Sequence, residues 1–152
     1  MATGMSPERI ESGNLADGPG RRRVLLVDDH RDSRRMLGMM LELSGHQVLE
    51  AGDGGAAVTL AMSERPDVAI VDIALPGIDG YEVARRLRAH PGTRDIVLIA
   101  LTGYGYEEDL RCAIEAGFDL HLVKPVESGR LADAVAQARR VERRRGARRP
   151  AR

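Results

Sequence analysis

The feature that most constrains the fold of this chain is a strict alternation of short apolar runs with segments of helical periodicity. Runs of strand length in which apolar residues predominate occupy residues 24–27, 47–51, 68–71, 96–101 and 120–123. Each run is followed by a segment in which apolar residues recur every three or four positions, as in an amphipathic helix. Five such units predict an α/β fold, a doubly wound five-stranded parallel sheet with helices on both faces.

The apolar runs also predict which strands are central. Residues 68–71 and 96–101 are apolar at every position, which is typical of parallel strands covered by helices on both faces. Residues 47–51 mix polar and apolar side chains, so we expect this strand at an edge of the sheet.

The periodic segments predict the buried stripe of each helix. In the first helix, expected over residues 31–44, the stripe is formed by Met36, Met40 and Leu43. The later stripes hold Ala57, Leu60 and Ala61; Val83, Ala84 and Leu87; Leu110, Ala113 and Ile114; and Leu131, Val135 and Ala138.

Length and composition indicate one domain with two tails. The 152 residues suit a single core. Residues 1–21 are rich in Gly and Pro without periodicity and predict a flexible leader, residues 22–140 form the domain, and residues 141–152 form an Arg-rich tail. The net charge of zero hides an acidic body, because residues 139–152 alone carry eight Arg and one Glu.

Several classes of protein are excluded by composition. The single cysteine, Cys112, excludes an internal disulfide and thiolate-pair metal sites. No apolar run reaches the length of a membrane span, and no secretory signal opens the chain, so we expect a cytoplasmic protein.

Reactive side chains follow four of the five predicted strands. Asp28 and Asp29 end the first strand, Asp72 the third, Thr102 the fourth and Lys124 the fifth. In open parallel sheets ligands bind in the crevice beyond the carboxyl ends of the strands. We therefore expect these side chains to form one site.

The three carboxylates predict a hard cation, because such a cluster is costly unless a cation or raised pKa values relieve it. Oxygen ligands without His or Cys favour Mg²⁺, which also binds phosphate oxygens. Asp72 as nucleophile, with an ammonium and a hydroxyl beside it, suits phosphoryl transfer. Taken singly, each Asp could be only a helix N-cap and Lys124 only a solvated charge. Their joint placement, with Lys124 the sole lysine among 23 basic residues, favours a site.

Four segments together resemble the receiver domain of two-component response regulators. They are LVDD at 26–29, VDIALPGIDG at 71–80, ALTG at 100–103 and VKP at 123–125, and the resemblance covers residues 22 to about 140. It implies a flavodoxin-like (βα)5 fold with strand order 2-1-3-4-5.

The resemblance also implies roles for the site residues. Asp72 is the aspartate phosphorylated from a sensor kinase phosphohistidine. Mg²⁺, for which Mn²⁺ could substitute, is held by Asp29, Asp72 and the backbone carbonyl of Ala74, with Asp28 acting through a metal-bound water.

Further implied roles concern the phosphoryl group and its switch. Thr102 and Lys124 contact the phosphoryl group, and the Lys124–Pro125 bond is cis. Where the family usually has Tyr or Phe, this chain has His121; it is either a switch residue coupled to Thr102 or an ordinary edge-strand histidine. Tyr104, with Ala74, would limit water access to the acyl phosphate.

The function implied is a receiver that is not an enzyme with a separate substrate. Its partners are a sensor histidine kinase or a histidine phosphotransfer protein, and an unknown output protein that reads the surface of the fourth helix, fifth strand and fifth helix. A phosphorelay intermediate or a detached receiver of a hybrid kinase is the alternative. An aspartyl-phosphate hydrolase is disfavoured, because it would need cap segments that this length does not allow.

Two other motifs compete with this interpretation. Residues 52–57 match the G-x-G-x-x-A dinucleotide fingerprint, with Asp72 twenty residues after Gly52, but they follow the polar edge strand. The Arg-rich tail could bind nucleic acid or anionic lipid, but we favour a frayed, solvated extension of the last helix. Nucleic acid is disfavoured, because no aromatic residues interleave the arginines and no second domain follows.

Overall fold

The sheet has five parallel strands in the order β2-β1-β3-β4-β5. The computed structural model describes residues 20–103, 105 and 107–148, with side chains up to residue 146. The strands are β1 (Arg23–Val27), β2 (Gln47–Ala51), β3 (Val68–Asp72), β4 (Val97–Thr102) and β5 (Leu120–Val123). This order confirms the predicted flavodoxin-like sheet, with β2 at one edge and the fully buried β3 and β4 inside.

Each strand is followed by a helix, and the helices cover both faces of the sheet. They are α1 (Arg31–Leu43), α2 (Gly54–Glu64), α3 (Gly80–Ala89), α4 (Glu107–Ala116) and α5 (Ser128–Arg148). Alternate residues of β1 show the two layers: Leu25 and Val27 pack with α2, α3 and α4, whereas Val24 and Leu26 pack with α1 and α5. Burying each such aliphatic side chain stabilises the fold by about 1.5–3 kcal/mol.

The buried stripe predicted for α1 is wrong. Met36 is 54% exposed and Leu43 is 88% exposed, and Met40 only partly packs on the core. The helix is instead rotated so that Leu37, Gly38 and Leu41 face the sheet. In this orientation Leu37 and Leu41 pack in the same buried cluster as Val24 and Leu26 of β1. Gly38 lies over β2, where a Cβ would meet the side chains of Val48 and Glu50 at an ordinary contact distance of 3.7 Å.

The stripe predicted for α4 is partly wrong. Ala113 and Ala116 are buried, but Ile114 is 72% exposed and Leu110 only half-buried. Periodicity alone cannot decide which side of a short helix with apolar residues on two sides meets the core. Small alanines allow this helix to pack closely, which leaves Ile114 on the surface.

The last helix continues through the first part of the Arg-rich segment. α5 runs to Arg148, and two residues beyond 140 pair with the body: Glu142 with Arg22, and Arg145 with Asp119. Arg145 also donates to the carbonyls of Asp95 and Ile96. The domain bounds of 22–140 stay a prediction, and the leader up to residue 19, together with residues 149–152, lies outside the described residues.

Replacing Arg145 by alanine is expected to lower the free energy of unfolding by about 1–2 kcal/mol, because hydrogen bonds to a partly buried carboxylate and two carbonyls are lost. The neighbouring Arg144 is exposed, so Arg144→Ala should change the same quantity by less than about 0.5 kcal/mol. Urea unfolding of both variants measures the difference. Equal stability of the two variants would show that the contacts of Arg145 do not stabilise the packing of α5 on the rest of the domain.

Candidate functional site

The carboxyl ends of β1, β3, β4 and β5 bring the predicted site residues to one edge of the sheet. β1 pairs with β3, β3 with β4, and β4 with β5, all in parallel, so their last residues meet. β3 ends at Asp72 and β4 at Thr102, while Asp28 and Lys124 directly follow β1 and β5. The N–H of Lys124 donates to the Thr102 carbonyl over 2.8 Å, which fixes the end of β5 against β4.

Lys124 joins two of the three carboxylates. Its Nζ lies 2.6 Å from Asp72 Oδ2 and 3.1 Å from Asp28 Oδ2. Burial acts to lower the pKa of Lys124, but the hydrogen bonds to Asp72 and Asp28 outweigh it and leave the pKa raised. The ammonium therefore stays charged at neutral pH and holds both carboxylates close together. The peptide bond between Lys124 and Pro125 is cis, as expected.

Asp28 is fully buried and held by several donors. Its Oδ1 accepts from the His30 N–H and its Oδ2 from the Ser33 hydroxyl, both over 2.9 Å. Burial raises the pKa of Asp28, but these hydrogen bonds and the one from Lys124 outweigh it, so the pKa lies below its usual value. Sequence reasoning missed Ser33; its position in the first turn of α1, five residues after Asp28, was the available signal.

Replacing Ser33 by alanine is expected to lower the free energy of unfolding at pH 7 by about 1 kcal/mol in metal-free buffer. The depressed pKa of Asp28 contributes stability that is present above about pH 4 and is lost as pH falls through the folded value. The deficit of the variant should therefore shrink below about pH 4, which urea unfolding at two pH values measures.

The matched control is Ser63→Ala, because the Ser63 hydroxyl is exposed and, within the described part of the chain, donates only to the Leu60 carbonyl. Its effect should not depend on pH. A deficit of Ser33→Ala that is equal at neutral and acid pH would contradict a role of Ser33 in holding ionised Asp28.

A group of side chains at this edge fits a divalent cation. Ligand atoms of Asp28, Asp29, His30 and Asp72 lie within 4.8 Å of one another. Asp29 is exposed, and its Oδ1 lies 3.3 Å from Nδ1 of the exposed His30 ring, a neighbour that sequence reasoning missed. The predominance of carboxylate oxygens suits Mg²⁺. The Ala74 N–H donates to Asp72 Oδ1 over 2.8 Å, and the ligand role of the Ala74 carbonyl stays a prediction.

Thr102 places a free hydroxyl in the same region. The residue is completely buried at the end of β4, and its Oγ1 has no hydrogen-bond partner within the described part of the chain. A buried hydroxyl left without a partner is costly, and such groups are rare in folded proteins. Thr102 therefore offers an unused donor beside Asp72 and Lys124, which suits an oxygen-rich ligand.

The predicted switch residue lies on the outer face of the edge strand. His121 is exposed on β5, in register with Ala100 of β4. It lines a small groove of about 140 Å³ with Leu110 and Ile114 of α4. Its coupling to Thr102 stays a prediction. The predicted effect of Tyr104 lies outside the described residues.

Comparison with known proteins decides the family. The family model described as the response regulator receiver domain matches residues 24–136. Protein PilH of Pseudomonas aeruginosa is 38% identical over 113 residues, which are 74% of this chain and 93% of PilH. The chain belongs to the response regulator receiver family. This confirms the resemblance on which the site prediction depends.

Other relatives carry the receiver within a longer protein. The transcriptional regulatory protein AfsQ1 of Streptomyces coelicolor is 39% identical over 122 residues, which cover 79% of this chain and 52% of AfsQ1. This receiver thus spans about half the length of that relative.

Solved receiver structures share the fold. A putative response regulator from Chloroflexus aurantiacus superimposes with a TM-score of 0.75 at 34% identity, covering 78% of this chain and 97% of that one. The receiver domain of the sensor histidine kinase PA1611 from Pseudomonas aeruginosa gives 0.72 at 31%, covering 76% and 95%. That structure has a magnesium ion coordinated in its active site cleft.

Membership of the receiver family fixes the broad function. Receiver domains are signalling proteins rather than classical enzymes, and they interact with histidine kinases and output proteins. Among the helices described for this receiver, none is long and apolar enough to cross a membrane.

The receiver fold also explains Asp53 and Gly54 of the dinucleotide-like motif. Asp53 caps α2 by accepting from the Ala56 N–H over 2.7 Å. A Cβ on Gly54 would lie 2.6 Å from the Ile78 carbonyl oxygen, so this glycine allows α2 to contact the loop before α3. Capping and packing account for the motif without a nucleotide.

Proposed function

We propose that this receiver accepts a phosphoryl group on Asp72 from the phosphohistidine of a sensor histidine kinase or a histidine phosphotransfer protein. The observation that carries the proposal is the pairing of Lys124 Nζ with Asp72 Oδ2 at 2.6 Å, beside the buried Thr102 hydroxyl that has no partner within the described residues. An ammonium paired with the carboxylate, and a free donor at the end of the neighbouring strand, suit the extra negative charge that a phosphoryl group brings.

The transfer would form one bond and break one. A carboxylate oxygen of Asp72 attacks phosphorus, the phosphorus–nitrogen bond of the phosphohistidine breaks, and its electron pair stays on the imidazole nitrogen. The product is an acyl phosphate on Asp72. Lys124 neutralises part of the charge on the transferred group, and the Thr102 hydroxyl donates to one of its oxygens.

Mg²⁺ is the cofactor that the site fits, with Mn²⁺ able to take its place. Asp29, Asp72 and the carbonyl of Ala74 would hold it, and Asp28 would reach it through a water molecule. When bound, the cation neutralises charge on the phosphoryl oxygens. Asp28 and Lys124 then keep Asp72 oriented, since both carboxylates share the same ammonium.

We assign the output surface to α4, β5 and α5. Exposed Ile114 on α4 and half-exposed Val123 on β5 give this face an apolar character. His121 lines a groove with Ile114 and stands two residues before Val123, which is the register partner of Thr102. A movement of Thr102 toward the phosphoryl group would therefore be felt at this end of β5. An output protein would read this surface.

A relay role is the second candidate, because the chain is also similar to the receiver domain of a sensor histidine kinase. In that role, Asp72 would pass the group onward to another histidine. Loss of label from the phosphorylated receiver to a histidine phosphotransfer protein, faster than its hydrolysis, would favour the relay.

Intact-mass measurement after incubation with acetyl phosphate and Mg²⁺ tests the proposal. One added phosphoryl group is expected on the unmodified chain, and none on Asp72→Asn or after chelation of the metal. The matched control is Asp53→Asn, because asparagine also caps helices and Asp53 lies outside the site. Label that persists in Asp72→Asn, or that is lost in Asp53→Asn, would contradict the assignment.

A further inference from the structure

A basic cavity lies at the end of the sheet opposite the phosphoryl site. Its volume is about 250 Å³. Polar groups come from Arg22, which precedes β1, from His46, which precedes β2, and from Arg139 on α5. Its apolar wall is formed by Ala132, Val135 and Ala136. Three separate elements thus converge on one small space.

The hydrogen bonding of His46 defines which of its ring nitrogens is a donor. The backbone N–H of Arg22 donates to His46 Nδ1 over 3.0 Å, so Nδ1 is unprotonated and the neutral ring carries its proton on Nε2. Burial lowers the pKa of His46, and the charges of Arg22, Arg21 and Arg139 lower it further. His46 is therefore a neutral donor in a positive environment.

The positive charge of the cavity is only partly compensated. One terminal nitrogen of Arg22 pairs with Glu142, but its buried Nε has no hydrogen-bond partner within the described chain. Arg139 pairs with no carboxylate among the described residues. Of the two guanidinium groups, only that of Arg22 therefore has an acidic partner within the described residues, and a buried N–H donor of the same group is left unsatisfied.

We propose that this cavity binds a small oxyanion, a phosphate ester or a carboxylate, between Arg22, Arg139 and His46 Nε2. Guanidinium groups bind such anions well because their planar N–H groups match pairs of oxygens. The organic part of the ligand would lie on Ala132, Val135 and Ala136.

This second site is independent of phosphorylation at Asp72. Arg22 and His46 precede the amino ends of their strands, whereas Asp28 and Asp72 stand at the carboxyl ends. A strand of five residues separates the two ends of β1 by about 17 Å. Anion binding in this cavity is therefore expected whether or not Asp72 is phosphorylated.

Amide chemical shifts of the full-length protein, titrated with pyrophosphate, test the proposal. Saturable shifts are expected at Gly20, His46 and Val135. Arg139→Gln should weaken the affinity about tenfold, because one charge-assisted contact is lost. Arg140→Gln is the matched control: Arg140 is the next residue on the same helix but exposed and outside the cavity, so the affinity should be unchanged.

Titrations with succinate and with sodium chloride complete the test. Saturation by both pyrophosphate and succinate supports a general oxyanion site, and saturation by one of them alone supports the proposal for that ligand class. Sodium chloride at matched ionic strength should give no saturable shift. Shifts confined to Gly103 and Lys124, shifts that chloride reproduces, or equal weakening by Arg139→Gln and Arg140→Gln would overturn the proposal.

Discussion

Replacing Lys124 by methionine is expected to lower the free energy of unfolding in metal-free buffer by about 2–3 kcal/mol. The reason is that Lys124 Nζ contacts both Asp28 and Asp72, so its loss leaves two buried carboxylates facing each other without a cation. Millimolar Mg²⁺ should stabilise this variant more than the unmodified chain, because a bound cation supplies part of the missing positive charge. Urea unfolding with and without Mg²⁺ measures both effects.

Lys124→Arg is the matched variant, because it keeps the charge but changes its shape. A planar guanidinium is wider than an ammonium and must fit where Nζ lies 2.6 Å from Asp72. We expect a smaller loss of stability than in Lys124→Met, together with impaired signalling. Equal stabilisation of all three proteins by Mg²⁺ would contradict the electrostatic role of Lys124. Normal phosphorylation and partner switching in Lys124→Arg would show that no lysine is needed there.

Replacing Gly80 by alanine is expected to lower the free energy of unfolding by about 3 kcal/mol and to slow phosphorylation of Asp72 as well. A Cβ at this position would lie 2.5 Å from the Asp72 carbonyl oxygen and 2.5 Å from Ile73 Cα. Both are backbone atoms, so relief requires a shift of the chain that carries Asp72. The Gly80 N–H also donates to the Ile73 carbonyl over 3.2 Å, which ties α3 to the end of β3.

Gly129→Ala is the control for Gly80→Ala. Nothing lies within 4 Å of a Cβ built on Gly129, which is a helical position in α5. Alanine there should leave stability unchanged or raise it by up to about 1 kcal/mol. Chemical unfolding and the time course of phosphoryl incorporation follow both variants. A Gly80→Ala protein as stable and as quickly phosphorylated as Gly129→Ala would show that α3 does not need this close approach.

Much of the sheet could be predicted from the sequence, because the number of apolar residues in each run indicates whether the strand is buried inside the sheet or lies at its edge. The fully apolar 68–71 segment became the inner strand β3, and the mixed 47–51 segment became the edge strand β2. The order of strands came from the family resemblance rather than from periodicity. Convergence of Asp28, Asp72 and Lys124 then followed from the parallel arrangement of strand ends.

The orientation of α1 could not be predicted, because apolar residues stand on two sides of that helix. Met36 and Leu43 satisfy a helical period as well as Leu37 and Leu41 do. In the structure the helix turns Leu37, Gly38 and Leu41 toward the sheet, and Gly38 lies next to Val48 of β2. A periodicity count gives glycine no weight, so it cannot register this contact.

Individual hydrogen bonds and ion pairs could not be predicted from the sequence motifs either. Ser33 became a donor to Asp28 because α1 begins directly after the loop that follows β1. Arg145 was grouped with a solvated basic tail, yet it meets Asp119 across the structure. Which arginine of a charged run pairs with a buried partner depends on how the helix is rotated against the rest of the protein. The order of the arginines in the sequence does not reveal that rotation.

Chemical localisation of the phosphoryl group tests the central claim most directly. Borohydride reduces an aspartyl phosphate to homoserine, so the phosphorylated receiver can be reduced, digested and sequenced by mass spectrometry. We predict homoserine at position 72 after incubation with a phosphodonor and Mg²⁺, and none when the metal is chelated. Homoserine at Asp28, Asp29 or Asp53, with aspartate intact at 72 in a fully labelled sample, would contradict it.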